Sequence, residues 1–179
     1  KRFPSLVEYS TNSISKDGKG AGSFRDNSNN IFNFVATKTD IFQLASGTFT
    51  SRKSSLTGTD ADYFTFTQFG NYVIASNGVD APQYYLMGTS TNFANLSTIV
   101  TAGSLPTFRV SGVVRDFLVT GNQPTNQNRI QWSGINDITT WTGKQADFQD
   151  LPGSGGRIVH ITSGEIGYVF RQNQIIRMD

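Results

Sequence analysis

Short apolar runs, each closed by a glycine- or asparagine-containing turn, constrain this chain more than any other feature. Tyr72-Val73-Ile74-Ala75-Ser76 stops at Asn77-Gly78, Phe117-Leu118-Val119-Thr120 at Gly121-Asn122, and Tyr168-Val169-Phe170-Arg171 at Gln172-Asn173. Runs this short are strand-length, and the dipeptides between them reverse the chain. The same round returns along the sequence: strand, tight turn, strand, turn, strand. Aligned second strands begin at Phe34, Val73, Leu118 and Val169, so successive rounds lie 39, 45 and 51 residues apart. Units of about 40–50 residues with three or four strands suggest propeller blades.

The residues within the second strands bear on the choice of fold. A sandwich strand has one face in the core and one in water, so it alternates. Tyr72 to Ala75, Phe117 to Val119 and Tyr168 to Phe170 are nearly apolar throughout, which implies burial on both faces. A blade packed between two neighbours supplies that burial. The expected fold is all-β, with β-propeller-like repeats of three- to four-stranded antiparallel blades forming a partial propeller; a β-sandwich is the alternative. The blades are expected near 21–52, 62–87, 107–133 and 157–178, after a first strand at Phe3 to Tyr9. Thr91 to Val100 has room for a short turn of helix. Residues 1–179 read as one all-β segment of a longer chain, because the sequence stops on the strand pattern Gln174-Ile175-Ile176.

Composition excludes several function classes. Without cysteine there are no disulfides and no thiolate metal sites, and one histidine, His160, gives a histidine triad little to build with. Fifteen basic residues against thirteen acidic ones leave a charge of +2. The basic residues are scattered, with Lys1-Arg2 and Arg52-Lys53 as the adjacent pairs, so no stripe for nucleic-acid phosphates is expected. No apolar run approaches the roughly 20 residues that span a bilayer, and no membrane anchor is expected.

Residues with chemical potential read first as structure. Asp60, Asp62, Asp80 and the Asp147/Asp150 pair sit near strand ends, where carboxylates cap turns. His160 lies among β-branched residues as a packed or edge residue. Gly153 to Gly156 leads into a strand, whereas phosphate-cradling loops need a following helix, so it reads as a flexible turn. Trp132-Ser133-Gly134 lacks the nucleophile-elbow spacing. No catalytic residue, metal or cofactor is expected. Both tryptophans, Trp132 and Trp141, fall in the turn-rich stretch 128–156. They either pin that connection or, with their neighbours, offer a surface to a sugar or a partner chain. The candidate interface or ligand-contact loop is Trp132, Asn136, Asp137, Trp141, Phe148 and Asp150.

Several motifs, in order, resemble a known family. They are FGNYVIASNGVDAP at 69–82, VRDFLVTGN at 114–122, RIQWS at 129–133, NDITTWT at 136–142, ADFQDLP at 146–152, YVFR at 168–171 and IIRM at 175–178. Together they cover most of Tyr63 to Met178 and resemble the propeller-containing tail hub, or nozzle, of short-tailed bacteriophages. Members are longer, and a proline is expected where Ile138 stands. The resemblance implies a structural virion protein made in the host cytoplasm, with no catalytic residues to carry over. It implies a homo-oligomeric ring, hexameric in that family, which encloses the DNA exit channel and contacts adaptor or fibre proteins. DNA is expected to pass without specific binding. The alternative function is a carbohydrate- or receptor-binding propeller module.

Overall fold

The computed structural model describes residues 8–178. The expected first strand, Phe3 to Tyr9, lies largely outside them. The chain folds into four antiparallel sheets, each a simple meander of strands consecutive in sequence. Sheet 1 holds β1 (Gly20–Arg25), β2 (Ile31–Ala36), β3 (Ile41–Ala45) and β4 (Thr48–Lys53). Sheet 2 holds β5 (Thr65–Phe69), β6 (Tyr72–Ser76), β7 (Gln83–Leu86) and β8 (Ala94–Asn95), followed by a 3-10 turn at Leu96–Ile99. Sheet 3 holds β9 (Val110–Val114), β10 (Phe117–Gln123), β11 (Asn126–Trp132) and β12 (Asp147–Asp150). Sheet 4 holds β13 (Ile158–Ile161), β14 (Gly167–Arg171) and β15 (Ile175–Met178).

Turn chemistry sets the registers. Between β1 and β2 the Asp26 carboxylate accepts the N–H groups of Ser28 and Asn30, both at 2.8 Å. Asn29 takes the left-handed conformation, φ 66°, which asparagine tolerates. The expected turn at Gly121-Asn122 is instead a bulge within β10, where the register shifts between Gly121 and Gln123. Its cause is the neighbouring sheet. A Cβ on Gly121 would stand 3.1 Å from Ile158 Cδ1 and 3.2 Å from Ile161 Cδ1, and Asn122 donates its side-chain N–H to Ile158 O at 2.8 Å.

First strands of successive sheets lie side by side: β1 against β5, β5 against β9, β9 against β13. They run in the same direction. Phe64 N–H donates to Lys19 O and Gln68 bonds to Arg25, so residue numbers rise together across β1 and β5. Thr65 Oγ1 donates to Arg109 O at 2.7 Å and Thr67 meets Ser111 at 2.8 Å across β5 and β9. At β9 and β13 the stitches are Gly164 N–H to Val113 O, 2.8 Å, and Arg115 N–H to Gly164 O, 2.9 Å.

Three cores fill the spaces between four sheets, rather than one core between two. Sheets 1 and 2 enclose Phe34, Ala36, Ile41, Val73, Ala75 and Tyr85. Sheets 2 and 3 enclose Ile74, Phe108, Leu118, Ile138 and Trp141. Sheets 3 and 4 enclose Val119, Ile130, Ile158, Ile161 and Val169. The unbroken apolar runs follow from this layering: β6 sends Val73 and Ala75 one way and Ile74 the other, while β10 divides Leu118 from Val119. Burial of each such side chain is worth roughly 1.5–3 kcal/mol. The same expectation fails for β14, whose Tyr168 is 39% exposed, because among the described residues no fifth sheet covers that face.

Candidate functional site

The six candidate residues do not form one site. In the β11–β12 ladder Arg129 pairs with Asp150, Gln131 with Phe148 and Trp132 with Asp147. Side chains alternate between faces along a strand. Arg129, Gln131, Phe148 and Asp150 therefore share one face, and Ile130, Trp132, Gln149 and Leu151 share the other. Phe148 is half exposed and lies under the Arg129 guanidinium, 4.1 Å from ring centroid to Cζ. Arg129 also grips Asp150 with two N–H groups, at 2.6 and 2.8 Å, and this hydrogen bonding holds the Asp150 carboxyl below its ordinary range.

Asn136, Asp137 and Trp141 organise the connection from β11 to β12. Trp141 is only 4% exposed; its indole N–H donates to Ile138 O at 2.9 Å, and its backbone N–H to Ala102 O at 2.7 Å. Asn136 takes φ 51° and donates its backbone N–H to Asp116 O at 2.7 Å. Asp137 accepts from Lys144 Nζ at 2.7 Å, from the Thr139 N–H and hydroxyl, and from the Thr140 hydroxyl. The Lys144 bond first, then the Thr139 hydroxyl, hold this carboxyl far below the usual carboxylate range of about 3.9.

A pH dependence follows. A carboxyl with a depressed folded value stabilises the fold fully above its unfolded value, and that contribution is lost as pH falls toward the folded one. Asp137→Asn is expected to destabilise the protein by about 1–2 kcal/mol at pH 7 and to shrink the fall in stability between about pH 5 and pH 2. Urea midpoints at pH 7 and pH 2.5 check this: the two proteins should differ at the first and by a smaller margin at the second, where part of the contribution is already lost. Equal midpoints at pH 7 would refute it.

Asp60 is an exposed partner of Lys38 at 3.1 Å, whereas Asp62 and Asp80 are turn caps. Asp62 accepts the Thr59 N–H at 2.9 Å and pairs with Arg109 at 2.9 Å; the Thr59 backbone bond leads in lowering its proton affinity. Asp80 accepts the Thr57 N–H and hydroxyl. His160 sits at 6.1 Å from the Phe170 ring on an exposed part of β13. The Ser133 hydroxyl accepts from Leu118 N–H and donates to Gly134 O, with no base against it. Among the described residues no group of three or more His, Asp or Glu side chains could hold a metal ion. Among the described residues no helix is long and apolar enough to cross a membrane.

The glycine loop differs from its reading as a simple flexible turn. Arg171, 4% exposed, donates to Gly156 O, Pro152 O, Gly153 O and Gln174 Oε1 at 2.9, 2.6, 3.2 and 2.7 Å. Nothing local marks Arg171 as the organiser of the loop, because its three carbonyl partners lie 15–19 residues back.

Trp132, one of the six, opens onto a cavity. A space of about 680 Å³ lies between sheets 3 and 4, lined on one side by Phe117, Val119, Ile130, Trp132 and Leu151. Ile176 and Met178 of β15 line the other. The indole N–H of Trp132 donates to Gln145 O at 2.7 Å, leaving the ring against the space. The charged side chains on its wall are Arg115 and Arg177. The cavity draws on four stretches far apart in sequence, a combination that no single motif carries.

No family model matches this chain, and no curated protein matches it. Among solved structures it is similar to the computationally designed Ika4 protein, with a TM-score of 0.63, 12% identity and 98% of each chain covered. At that identity the likeness is one of fold. A chain of the mitotic checkpoint complex aligns at a TM-score of 0.48 and 9% identity, over all of this chain and 58% of that one.

Proposed function

We propose that the four sheets are consecutive blades of a β-propeller, and that the chain is a structural segment of a tail hub or nozzle of a short-tailed bacteriophage. The observation that carries the propeller reading is the row β1, β5, β9, β13. Every sheet contributes its first strand to that row, all four run in one direction, and each sheet then meanders away from it. Radial blades around an axis have this organisation. On this reading the outward face of sheet 4, with Val159, Tyr168 and Ile175 exposed, packs against a further blade.

The tail-hub assignment rests on the ordered motifs between Tyr63 and Met178. The candidate side chains are occupied in caps, ion pairs and packing, as suits a rigid wall. The protein then works as a homo-oligomeric ring, hexameric by that resemblance, beside adaptor or fibre proteins in the virion, with DNA moving through its centre. Scattered basic residues suit DNA passing without being gripped. Carbohydrate binding asks for exposed indoles side by side, whereas Trp141 is buried and Trp132 faces a different space from Phe148 and Asp150.

Co-sedimentation of the full-length protein with portal–adaptor complexes of a short-tailed phage tests the assignment. A fixed, saturable stoichiometry is expected on the complex, together with no saturable binding to duplex DNA at about 150 mM salt. Failure to associate, or stoichiometric DNA binding at that salt, would overturn it.

A further inference from the structure

Arg52 and Lys53, adjacent cations at the end of β4, have no anion against them. Lys16, Lys38, Arg109, Arg129 and Lys144 each pair with an aspartate within 3.1 Å. Among the described residues neither Arg52 nor Lys53 makes an ion pair. Arg52 meets a neutral amide instead: its Nε–H donates to Gln43 Oε1 at 2.9 Å, and both Nη groups are left without a partner. The Lys53 ammonium makes no bond to the described residues.

A backbone irregularity aims them. The β3–β4 register passes from Phe42 opposite Ser51 to Ile41 opposite Lys53, so Arg52 is the extra residue of a bulge. Bulges bend a strand and re-aim its side chains. Two bonds hold this one. Gln43, buried on β3, takes the guanidinium, and Phe93 N–H donates to Arg52 O at 2.8 Å. The second bond brings the segment before β8 against the bulge, and Asn92 with it. Between them lies an open cleft of about 390 Å³, bounded by Ser51, Arg52, Lys53, Ser54, Asn92 and Phe93. Among the described residues neither Ser54 nor Asn92 spends its side chain on a hydrogen bond, and the Ser51 hydroxyl reaches Lys53 O only at a long 3.4 Å. Donors from two sheets therefore line a space without an acidic side chain.

We propose that this cleft binds a tetrahedral oxyanion, a phosphate or sulfate group borne by a polar ligand. Two positive charges match a dianion. The free Nη groups of Arg52 present a fork for two oxygens, and Lys53 supplies a point charge for a third. The serine hydroxyls and the Asn92 carboxamide complete the set, which offers more donors than the two oxygens of a carboxylate use. A volume of about 390 Å³ leaves room for the body that carries the anion, within the range of ligand pockets, about 300–1,000 Å³. In sheet 1, β4 is the strand farthest from the row of first strands, so the site lies at the outer edge of its sheet. One pair of cations falls short of the several clustered contacts that a nucleic-acid backbone needs, which points to a single anionic group. The inference stands on the bulge and the cleft and does not depend on the tail-hub reading.

The probes are inorganic sulfate and inorganic phosphate, titrated separately into the protein at constant ionic strength with chloride as the balancing ion. The NMR resonances of the Arg52 Nε–H and the Ser54 amide are expected to shift saturably with each. Lys53→Gln, which gives up no side-chain bond of the fold, should weaken both ions at least fivefold while the urea midpoint stays unchanged. Arg52→Lys keeps the charge but loses the fork, and the Ser54 amide should report a several-fold loss there too. Phosphate held more tightly than sulfate would support the site as one for phosphate-bearing ligands, and the reverse order as one for sulfated ligands. No saturable shift with either ion up to about 20 mM would overturn the proposal. So would acetate that binds as tightly as sulfate, or affinity indifferent to Lys53→Gln.

Discussion

Phe34→Ala is expected to cost about 3–5 kcal/mol, the usual range for emptying a buried phenylalanine site. Phe34 is 1% exposed and its ring lies 5.0 Å from those of Tyr85 and Phe93 and 6.3 Å from Phe24. Those neighbours come from β7, from the segment before β8 and from β1, so one side chain ties sheet 1 to the outer part of sheet 2. They are rigid rings on separate strands and collapse poorly into the space left behind, which places the cost toward the upper end. In urea the midpoint should fall with the slope unchanged. A loss under about 1 kcal/mol would show that sheets 1 and 2 are not held by this aromatic cluster.

Arg171→Met is expected to cost about 3 kcal/mol or more. The substitution keeps apolar bulk but strips donors from three loop carbonyls and from Gln174, and hydrogen bonds to charged groups are worth about 1.5–3 kcal/mol each. The loop at 152–156 should then exchange its amides and yield to protease faster than the rest of the chain. Arg171→Lys should recover only part of the loss, because a single ammonium cannot span acceptors that the guanidinium fork reaches together. Unchanged protease resistance of the loop in Arg171→Met would contradict this role.

Much of the fold was legible because strand period and layer geometry coincide. β6 and β10 are apolar on both faces because a core lies on each side, and Ile74 against Val73, or Leu118 against Val119, records that division directly. Tyr168 and Phe170 carry the same pattern in an end sheet, where sequence alone has no sign that the outer neighbour is missing from the described residues. β12 was not legible. Asp147-Phe148-Gln149-Asp150 is exposed, acidic and of low strand propensity, and it pairs because β11 offers Arg129 to Asp150 and a ladder to the backbone. β8 is too short to leave a pattern. Gly121-Asn122 has turn chemistry but serves a bulge whose cause, Ile158 and Ile161, sits more than 30 residues away.

The candidate loop shows the same limit. Trp141 stands among turn residues, yet its side chain fills the core between sheets 2 and 3 through contacts with segments that sequence proximity does not reveal. Trp132, Phe148 and Asp150 look like one neighbourhood along the chain, but the two-residue period of the ladder sends Trp132 to the cavity and the other two to the opposite face. Asp137 was visible as polar turn chemistry; the Lys144 bond that fixes its charge came from a loop closure.

Under the function proposed above, the chain is part of a homo-oligomeric ring with DNA moving through its centre. Particle images of the full-length protein, viewed down its symmetry axis, test this most directly. An open-centred ring of identical subunits, assembled alone or on a portal–adaptor complex, is expected. A protein that remains monomeric with those partners, or an assembly closed at its centre, would contradict it.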